Sequence, residues 1–125
     1  MVLLDTCALI EVCRLNRRLS QESLNQLKKQ NCIILSVSFA EVAFKQRRGK
    51  LPALPLISEV HNQFQQVENF KIIDIGVQEW FDAIELDWPH KDPVDRLLVS
   101  YAMRQKIPIM TTDKLIKKFY KNVIW

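Results

Sequence analysis

Short apolar runs alternate with segments of helical periodicity along this chain, and the alternation limits what it can fold into more than any other feature. The apolar runs have the length of buried strands, and in the segments between them apolar residues recur every three or four positions. Parallel strands need crossover connections, which helices of this kind supply. The pattern therefore predicts an α/β fold, a three-layer α/β/α sandwich with a mainly parallel central sheet of four or five strands. The strands are expected at Val2–Leu4, 33–35, 71–75, 107–110 and Val123–Ile124.

The segments between these strands carry signals for helix ends as well as helical periodicity. Gly49 follows a segment with an apolar face and a basic end, as expected of a residue that closes a helix. Prolines at 52 and 55 indicate a loop before the next helix. Helices are expected at about 8–12, 20–29, 39–48, 56–67, 77–86, 92–102 and Lys114–Phe119.

The length of 125 residues suits a single domain spanning 1–125 and allows a hydrophobic core without a disulfide or metal staple. The three cysteines have no paired spacing and no nearby histidine pattern, so neither a disulfide framework nor a zinc site is expected. No stretch has the length of a membrane span and no leader signal is recognisable, so we expect a cytoplasmic protein with no membrane partner. The net charge of +4 permits a polyanionic partner.

Carboxylates follow the expected strands at positions that the carboxyl edge of a parallel sheet would bring together, and ligands of open α/β sheets bind at that edge. Asp5 ends the first strand, Glu41 lies about one turn beyond the second, and Asp113 follows the fourth. Asp95 lies in the first turn of the helix that leads into the fourth strand. Such acids would raise one another's pKa unless a cation lay among them. Because Mg²⁺ and Mn²⁺ prefer oxygen ligands, the pattern points to a site for one of these ions.

Each of these acids also has a purely structural interpretation, and the residues alone leave both open. Asp5 and Asp113 suit the N-cap of the helix that follows each of them. Glu41 fits a capping box that begins at Ser38, in which the carboxylate only accepts a backbone hydrogen bond.

The stretch HKDPVDRLL, residues 90–98, places two aspartates three positions apart at a helix start. Asp92 suits the N-cap, with Pro93 directly behind it. Asp95 would then lie in the first turn, where the helix dipole favours a carboxylate. A histidine-based nucleophile system is not expected, because neither histidine has a serine or cysteine partner in a recognisable pattern.

Three stretches cover nearly the whole chain and together resemble one known family. They are LLDTCALI, SFAEVAFKQRRGKL and HKDPVDRLLVSYAMRQKIPIMTTD, in that order. They are similar to the corresponding stretches of PIN-domain ribonucleases, and more narrowly of VapC-type toxins of type II toxin–antitoxin systems. The resemblance implies a PIN-like fold and an endoribonuclease that uses Mg²⁺ or Mn²⁺ and leaves a 5′-phosphate and a 3′-hydroxyl. The catalytic, metal-binding residues that it implies are Asp5, Glu41, Asp95 and Asp113.

The resemblance also implies supporting residues and partners. Asp92 would act mainly as a cap beside the metal ligands, and Thr112 would steady a carboxylate or a bound water, with an ordinary cap hydroxyl as the alternative. Basic side chains are expected to contact the RNA backbone, and a solvated basic face or a surface ion pair is the alternative. The implied protein partners are a small antitoxin encoded nearby and a second copy of this chain. The expected RNA contacts are Arg47, Arg48, Arg96 and Lys114.

Two other functions stay open on the sequence alone. One is a catalytically silent PIN-like module that binds RNA or a protein, and the complete set of acids argues against it. The other is a phosphotransferase of the haloacid-dehalogenase type, which also uses an aspartate after the first strand. That class needs a second aspartate two residues later, where this chain has Cys7.

Overall fold

The computed structural model describes residues 1–14 and 18–125, and within them the chain forms five strands and seven helices. None of the helices in these two segments is both long and apolar enough to cross a membrane. The strands are β1 (Val2–Leu4), β2 (Cys32–Leu35), β3 (Phe70–Ile73), β4 (Ile109–Met110) and β5 (Val123–Ile124). The helices are α1 (Thr6–Cys13), α2 (Gln21–Lys29), α3 (Ser36–Arg47), α4 (Ile57–Phe64), α5 (Val77–Ile84), α6 (Pro93–Gln105) and α7 (Lys114–Phe119).

The strands form one sheet in the order β3-β2-β1-β4-β5, and each pairing in the described part of the chain is parallel. The chain builds outward from β1 through β2 to β3, then crosses to the other side of β1 to add β4 and β5. The strand order therefore reverses between β1 and β4. In open α/β sheets such a reversal leaves a crevice at the carboxyl ends of the two strands, where ligands bind.

Successive side chains of the strands point to opposite faces of the sheet and build two separate cores. In β1, Val2 and Leu4 pack into one core and Leu3 into the other. Apolar residues of α1, α3 and α4 complete the first core, and residues of α5, α6 and α7 complete the second. The expected three-layer α/β/α sandwich with a parallel sheet is confirmed.

Element ends differ from the sequence expectation where hydrogen bonding sets the limit. The fourth strand was expected from 107, but Pro108 has no N–H to donate and the N–H of Ile107 bonds to the carbonyl of Ala102 behind it. The ladder of β4 therefore begins at Ile109. Helix α6 ends at Gln105 and is capped by Lys106, which adopts a left-handed conformation (φ 56°) that a glycine would adopt at less cost.

Candidate functional site

The carboxyl edge of the sheet at the β1/β4 reversal holds three aspartates. Asp5 follows β1 directly, and Asp113 lies three residues beyond the end of β4. Asp95, the third residue of α6, is close enough to both for their charges to interact. We call Asp5, Asp95 and Asp113 the aspartate group.

Asp5 is almost completely buried, with 3% of its surface exposed. Its Oδ1 accepts a hydrogen bond of 2.7 Å from the N–H of Ala8, so it does cap α1 as the structural interpretation predicted. Burial raises the pKa of Asp5 to about 6, against the lowering effect of hydrogen bonds from Thr111 and Ala8. The charges of Asp95 and Asp113 raise this pKa further. The Asp5 side chain therefore caps α1 and also belongs to the aspartate group.

Asp95 is held by a histidine that the sequence did not single out. Its Oδ2 lies 2.6 Å from Nε2 of His90. Burial is the main cause of a raised pKa at Asp95; the charges of Asp92 and Asp113 raise it further, and the bond to His90 lowers it. Asp92 is exposed and caps α6, because its Oδ1 accepts from the N–H of Val94 at 2.9 Å and of Asp95 at 3.2 Å. The predicted N-cap at Asp92 with Pro93 behind it is confirmed.

Asp113 caps the short helix α7 and is itself positioned by the residue at the end of the fourth strand. Its Oδ1 accepts from the N–H of Leu115 at 2.8 Å and of Ile116 at 2.9 Å. Its own N–H donates to the hydroxyl of Thr111, which also hydrogen bonds to Asp5. Thr111 is buried and links two members of the aspartate group, whereas Thr112 is exposed.

Glu41 lies in the second turn of α3, beside the start of α1. The capping-box interpretation is wrong, because α3 begins at Ser36 and has no side-chain cap. Instead, Oε2 of Glu41 accepts from the hydroxyl of Thr6 at 3.0 Å, and Oε1 lies 3.3 Å from Nζ of Lys45. The carboxylate is thus tied to α1 on one side and to a lysine of its own helix on the other.

Cys7 follows Asp5 by two residues and is close enough to Glu41, Asp5 and Asp113 for their charges to act on it. Although solvent reaches Cys7, the surrounding protein desolvates its thiolate and raises the pKa to about 11. The charges of Asp5, Asp113 and Glu41 also raise this pKa, and Lys45 lowers it. The thiol is therefore neutral at ordinary pH and adds no charge to the site.

The donors at this edge suit a hard divalent cation in chemistry and in charge. Asp5 is desolvated and its pKa is raised by two neighbouring carboxylates, so a cation among them would remove an unfavourable interaction. In the described part of the chain, however, no three His, Cys, Asp or Glu side chains lie close enough to hold a metal as they stand. The residues fit the ion by type, and ligation by three of them needs the side chains to move closer together.

Three of the four predicted RNA-binding residues are exposed, and the fourth has a different role. Arg47 and Arg48 lie at the end of α3, and Lys114 begins α7. Arg96 instead points its guanidinium at the connection from α5 to α6, where its five N–H groups meet five backbone carbonyls. The prediction that Arg96 contacts RNA is not supported, because no donor is left for a phosphate, and its acceptors include no carboxylate. These acceptors are the carbonyls of Ala83, Ile84, Leu86, Trp88 and His90.

Replacing Arg96 with lysine is expected to lower the free energy of unfolding by about 2–4 kcal/mol, because lysine has three donors and several half-buried carbonyls would lose their partner. Urea denaturation measures the loss. Arg104→Lys is the matched control on the same helix, since Arg104 makes one exposed ion pair with Asp82 and its loss should stay below about 1 kcal/mol. Equal losses of stability in the two variants would contradict the role of Arg96 in holding the connection from α5 to α6.

Sequence reasoning missed the residues that orient the acids: Thr6 at Glu41, Thr111 at Asp5, and His90 at Asp95. For one of them a signal existed. Adjacent residues of an extended chain point to opposite sides, so only one of the two threonines after β4 can face Asp5. The contacts of Thr6 and His90 depend on how separate helices pack, which no local pattern records.

A comparison with protein families finds a match to one family model, described as PIN domain, over residues 2–122. No curated protein shows a significant match to the chain. Solved structures similar in fold include the three described next, and their identities of 8–17% make the likeness one of fold alone.

The first is a toxin–antitoxin complex from Klebsiella pneumoniae, with a TM-score of 0.69 and 17% identity, covering 100% of this chain and 97% of that one. The second is VapC20 of Mycobacterium tuberculosis, described as a sarcin-ricin loop cleaving toxin, with a TM-score of 0.71 and 8% identity, covering 96% and 95%. The third is FitAcB from Neisseria gonorrhoeae, with a TM-score of 0.61 and 16% identity, covering 100% and 97%.

Proposed function

The chain belongs to the PIN domain family, and from this membership we propose that it is a divalent-metal-dependent endoribonuclease and the toxin of a toxin–antitoxin pair. The observation that carries the proposal is the aspartate group at the β1/β4 reversal, where the pKa values of Asp5 and Asp95 are raised. Carboxylates held in this state would be stabilised by a bound cation. Catalysis by metal-activated hydrolysis needs such a site.

We propose Mg²⁺ or Mn²⁺ as the ion, with Asp5, Glu41, Asp95 and Asp113 as catalytic, metal-binding residues. A bound ion would polarise a phosphate oxygen, activate a water and offset charge on the leaving oxygen. The protein's own contribution is orientation: Thr111 and the N–H of Ala8 hold Asp5, and His90 holds Asp95. Asp92 and Thr112 would support the site, Asp92 through the start of α6.

Exposed cations at the end of the helix that carries Glu41, and directly after Asp113, support RNA as the substrate. Arg47, Arg48 and Lys114 would contact the phosphate backbone, which gives affinity without base selection. Lys45 is paired with Glu41 and would be released for phosphate if Glu41 turned to the ion.

A groove between α1 and α4 supports an antitoxin partner. Its volume is about 460 Å³, and Val12, Val60 and Phe64 lie among its walls. An amphipathic helix or extended segment suits such a groove. One of the similar folds is that of a toxin–antitoxin complex, and we propose an antitoxin encoded nearby as the occupant here.

A homodimer is proposed on the apolar face of α5. Val77, Phe81 and Ile84 recur at four- and three-residue spacing and each exposes more than half of its surface. Exposed apolar stripes of this kind mark protein contacts. We further propose that 1–125 form one domain and that the protein acts in the cytoplasm.

Incubation with single-stranded RNA tests the proposal directly. We expect cleavage with Mn²⁺ or Mg²⁺, none with EDTA, and products that carry a 5′-phosphate and a 3′-hydroxyl, as read by ligation and end sequencing. DNA of the same sequence is the control. The alternative, a silent PIN-like module, is favoured by the lack of three converging ligand side chains in the described residues; it predicts RNA or protein binding without cleavage in either metal.

A further inference from the structure

A second cavity lies beside the aspartate group, between helix α7 and the connection from α5 to α6. We call it the Trp88 cleft. Its volume of about 450 Å³ falls in the range of small-molecule sites, about 300–1,000 Å³. The indole of Trp88 stacks on the ring of Phe119 with centroids 4.9 Å apart and planes 10° apart, which fixes the connection against α7. The cleft is lined by Trp88, Pro89, His90, Leu115, Lys118 and Phe119.

The chemistry of the lining suits a flat ring with polar edges. Trp88, Phe119 and Leu115 supply apolar and aromatic surface, and Leu115 is 53% exposed. His90 and Lys118 add two groups that can hydrogen bond, and no carboxylate lines the cleft. Aromatic walls with nearby cations are the usual receptor for an unpaired nucleobase, because every base has a face that stacks and edges that hydrogen bond.

The cleft adjoins the aspartate group at two points. The ring of His90, which lines the cleft, lies 2.6 Å from Oδ2 of Asp95. Leu115, on the opposite wall, donates its N–H to Oδ1 of Asp113. A strand with a phosphate at the aspartates would therefore present a neighbouring base to the cleft.

We propose that the Trp88 cleft binds an unpaired nucleobase of single-stranded RNA next to the phosphate at the aspartate group. The inference rests on the proposed function and adds to it a subsite that selects single-stranded substrate. RNA suits the cleft better than a protein segment, since six residues bound it and α7, on one side of it, carries three exposed lysines, of which Lys118 lines the cleft. These lysines are Lys114, Lys117 and Lys118.

The test compares two fluorescently labelled single-stranded RNAs of one length, with and without bases at internal positions, by anisotropy in EDTA so that no cleavage occurs. We expect the protein to bind the base-bearing RNA roughly tenfold more tightly than the abasic one. Leu115→Glu should remove this preference. Leu56→Glu is the matched control, since Leu56 is 57% exposed and directly precedes α4 on the other side of the sheet. The added negative charge weakens the binding of both RNAs alike, so the ratio of their dissociation constants isolates the contribution of base binding.

Each result decides the matter. No preference in the unmodified protein, or a preference that survives Leu115→Glu, overturns the proposal. The proposal is also overturned if a protein antitoxin covers the cleft and the two RNAs bind with equal affinity. Cleavage in Mn²⁺ is measured separately: cleavage without base preference leaves the ribonuclease standing and removes the cleft. If the base preference is lost only in Leu115→Glu but the protein cleaves no RNA, the base-binding cleft stands and the proposed ribonuclease activity is wrong.

Discussion

Replacing Asp5 with asparagine is expected to reduce RNA cleavage at least about 100-fold while leaving the fold intact. Asp5 is the most deeply buried member of the aspartate group, at the point where the strand order reverses. Asparagine keeps the oxygen that accepts from the N–H of Ala8 and so preserves the cap of α1. It removes the charge that a divalent ion would need. Initial rates in Mn²⁺ on a labelled RNA measure the effect, and circular dichroism checks the fold.

Asp74→Asn is the matched control for this substitution. Asp74 also follows a strand, β3, at the same edge of the sheet, but it is exposed and lies at the far side of β2. Its replacement should leave the cleavage rate within about twofold, as expected of a surface carboxylate remote from the ion. If Asp5→Asn cleaved RNA as fast as Asp74→Asn, the placement of the ion at the aspartate group would be wrong.

The same Asp5 variant should differ from the parent protein in stability as well. The folded protein releases the Asp5 proton near pH 6 and the unfolded chain near its ordinary pKa of about 4. Between these values the folded state binds more protons, so Asp5 lowers the free energy of unfolding as the pH rises, by on the order of 3 kcal/mol at pH 7. Urea denaturation without metal should show this fall in the parent and a smaller one in Asp5→Asn, in which Asp95 still has a raised pKa. Added Mn²⁺ should raise the melting temperature of the parent more than that of the variant.

Most of the secondary structure follows from local pattern, because periodicity and turn residues are recorded in short stretches. The expected bounds of β1, α7 and β5 match the structure residue for residue, and Gly49 closes α3 with a φ of 77°. Helix α4 was expected to continue to 67 and ends at Phe64, because the chain turns there to enter β3.

In the site, too, local pattern predicts where the acids lie but not which groups they and their neighbours contact. The positions of Asp5 and Asp113 follow from the ends of the strands that precede them, which local pattern predicts, and from the parallel sheet that the fold class implies. The five carbonyls around the guanidinium of Arg96 come from the fold of the preceding connection, so its sequence position beside Asp95 suggested a phosphate contact that its donors cannot make. Glu41 likewise matched a capping motif, but it lies too far along α3 to cap the start of the helix. A motif records spacing, whereas the partner of each polar group depends on packing.

Replacing each of the two aspartates of HKDPVDRLL with serine should have very different effects on RNA cleavage. Asp92→Ser should leave cleavage within a few fold and cost less than about 1 kcal/mol of stability, because serine is also a favoured N-cap. Asp95→Ser should reduce cleavage at least about 100-fold. It removes a carboxylate of the aspartate group and leaves Nε2 of His90 without its partner at 2.6 Å.

The pair serves as its own control, because both substitutions remove one negative charge from the start of α6. A loss caused by charge or helix start alone would therefore appear in both variants to the same degree. The cap at Asp92 fixes where α6 begins, and that start determines the direction in which Asp95 points. If Asp92→Ser lost as much cleavage as Asp95→Ser, Asp92 would itself contact the ion or the RNA. Measuring rates and urea stability for both variants separates these roles, since a positioning defect lowers stability with rate and a lost ligand lowers rate alone.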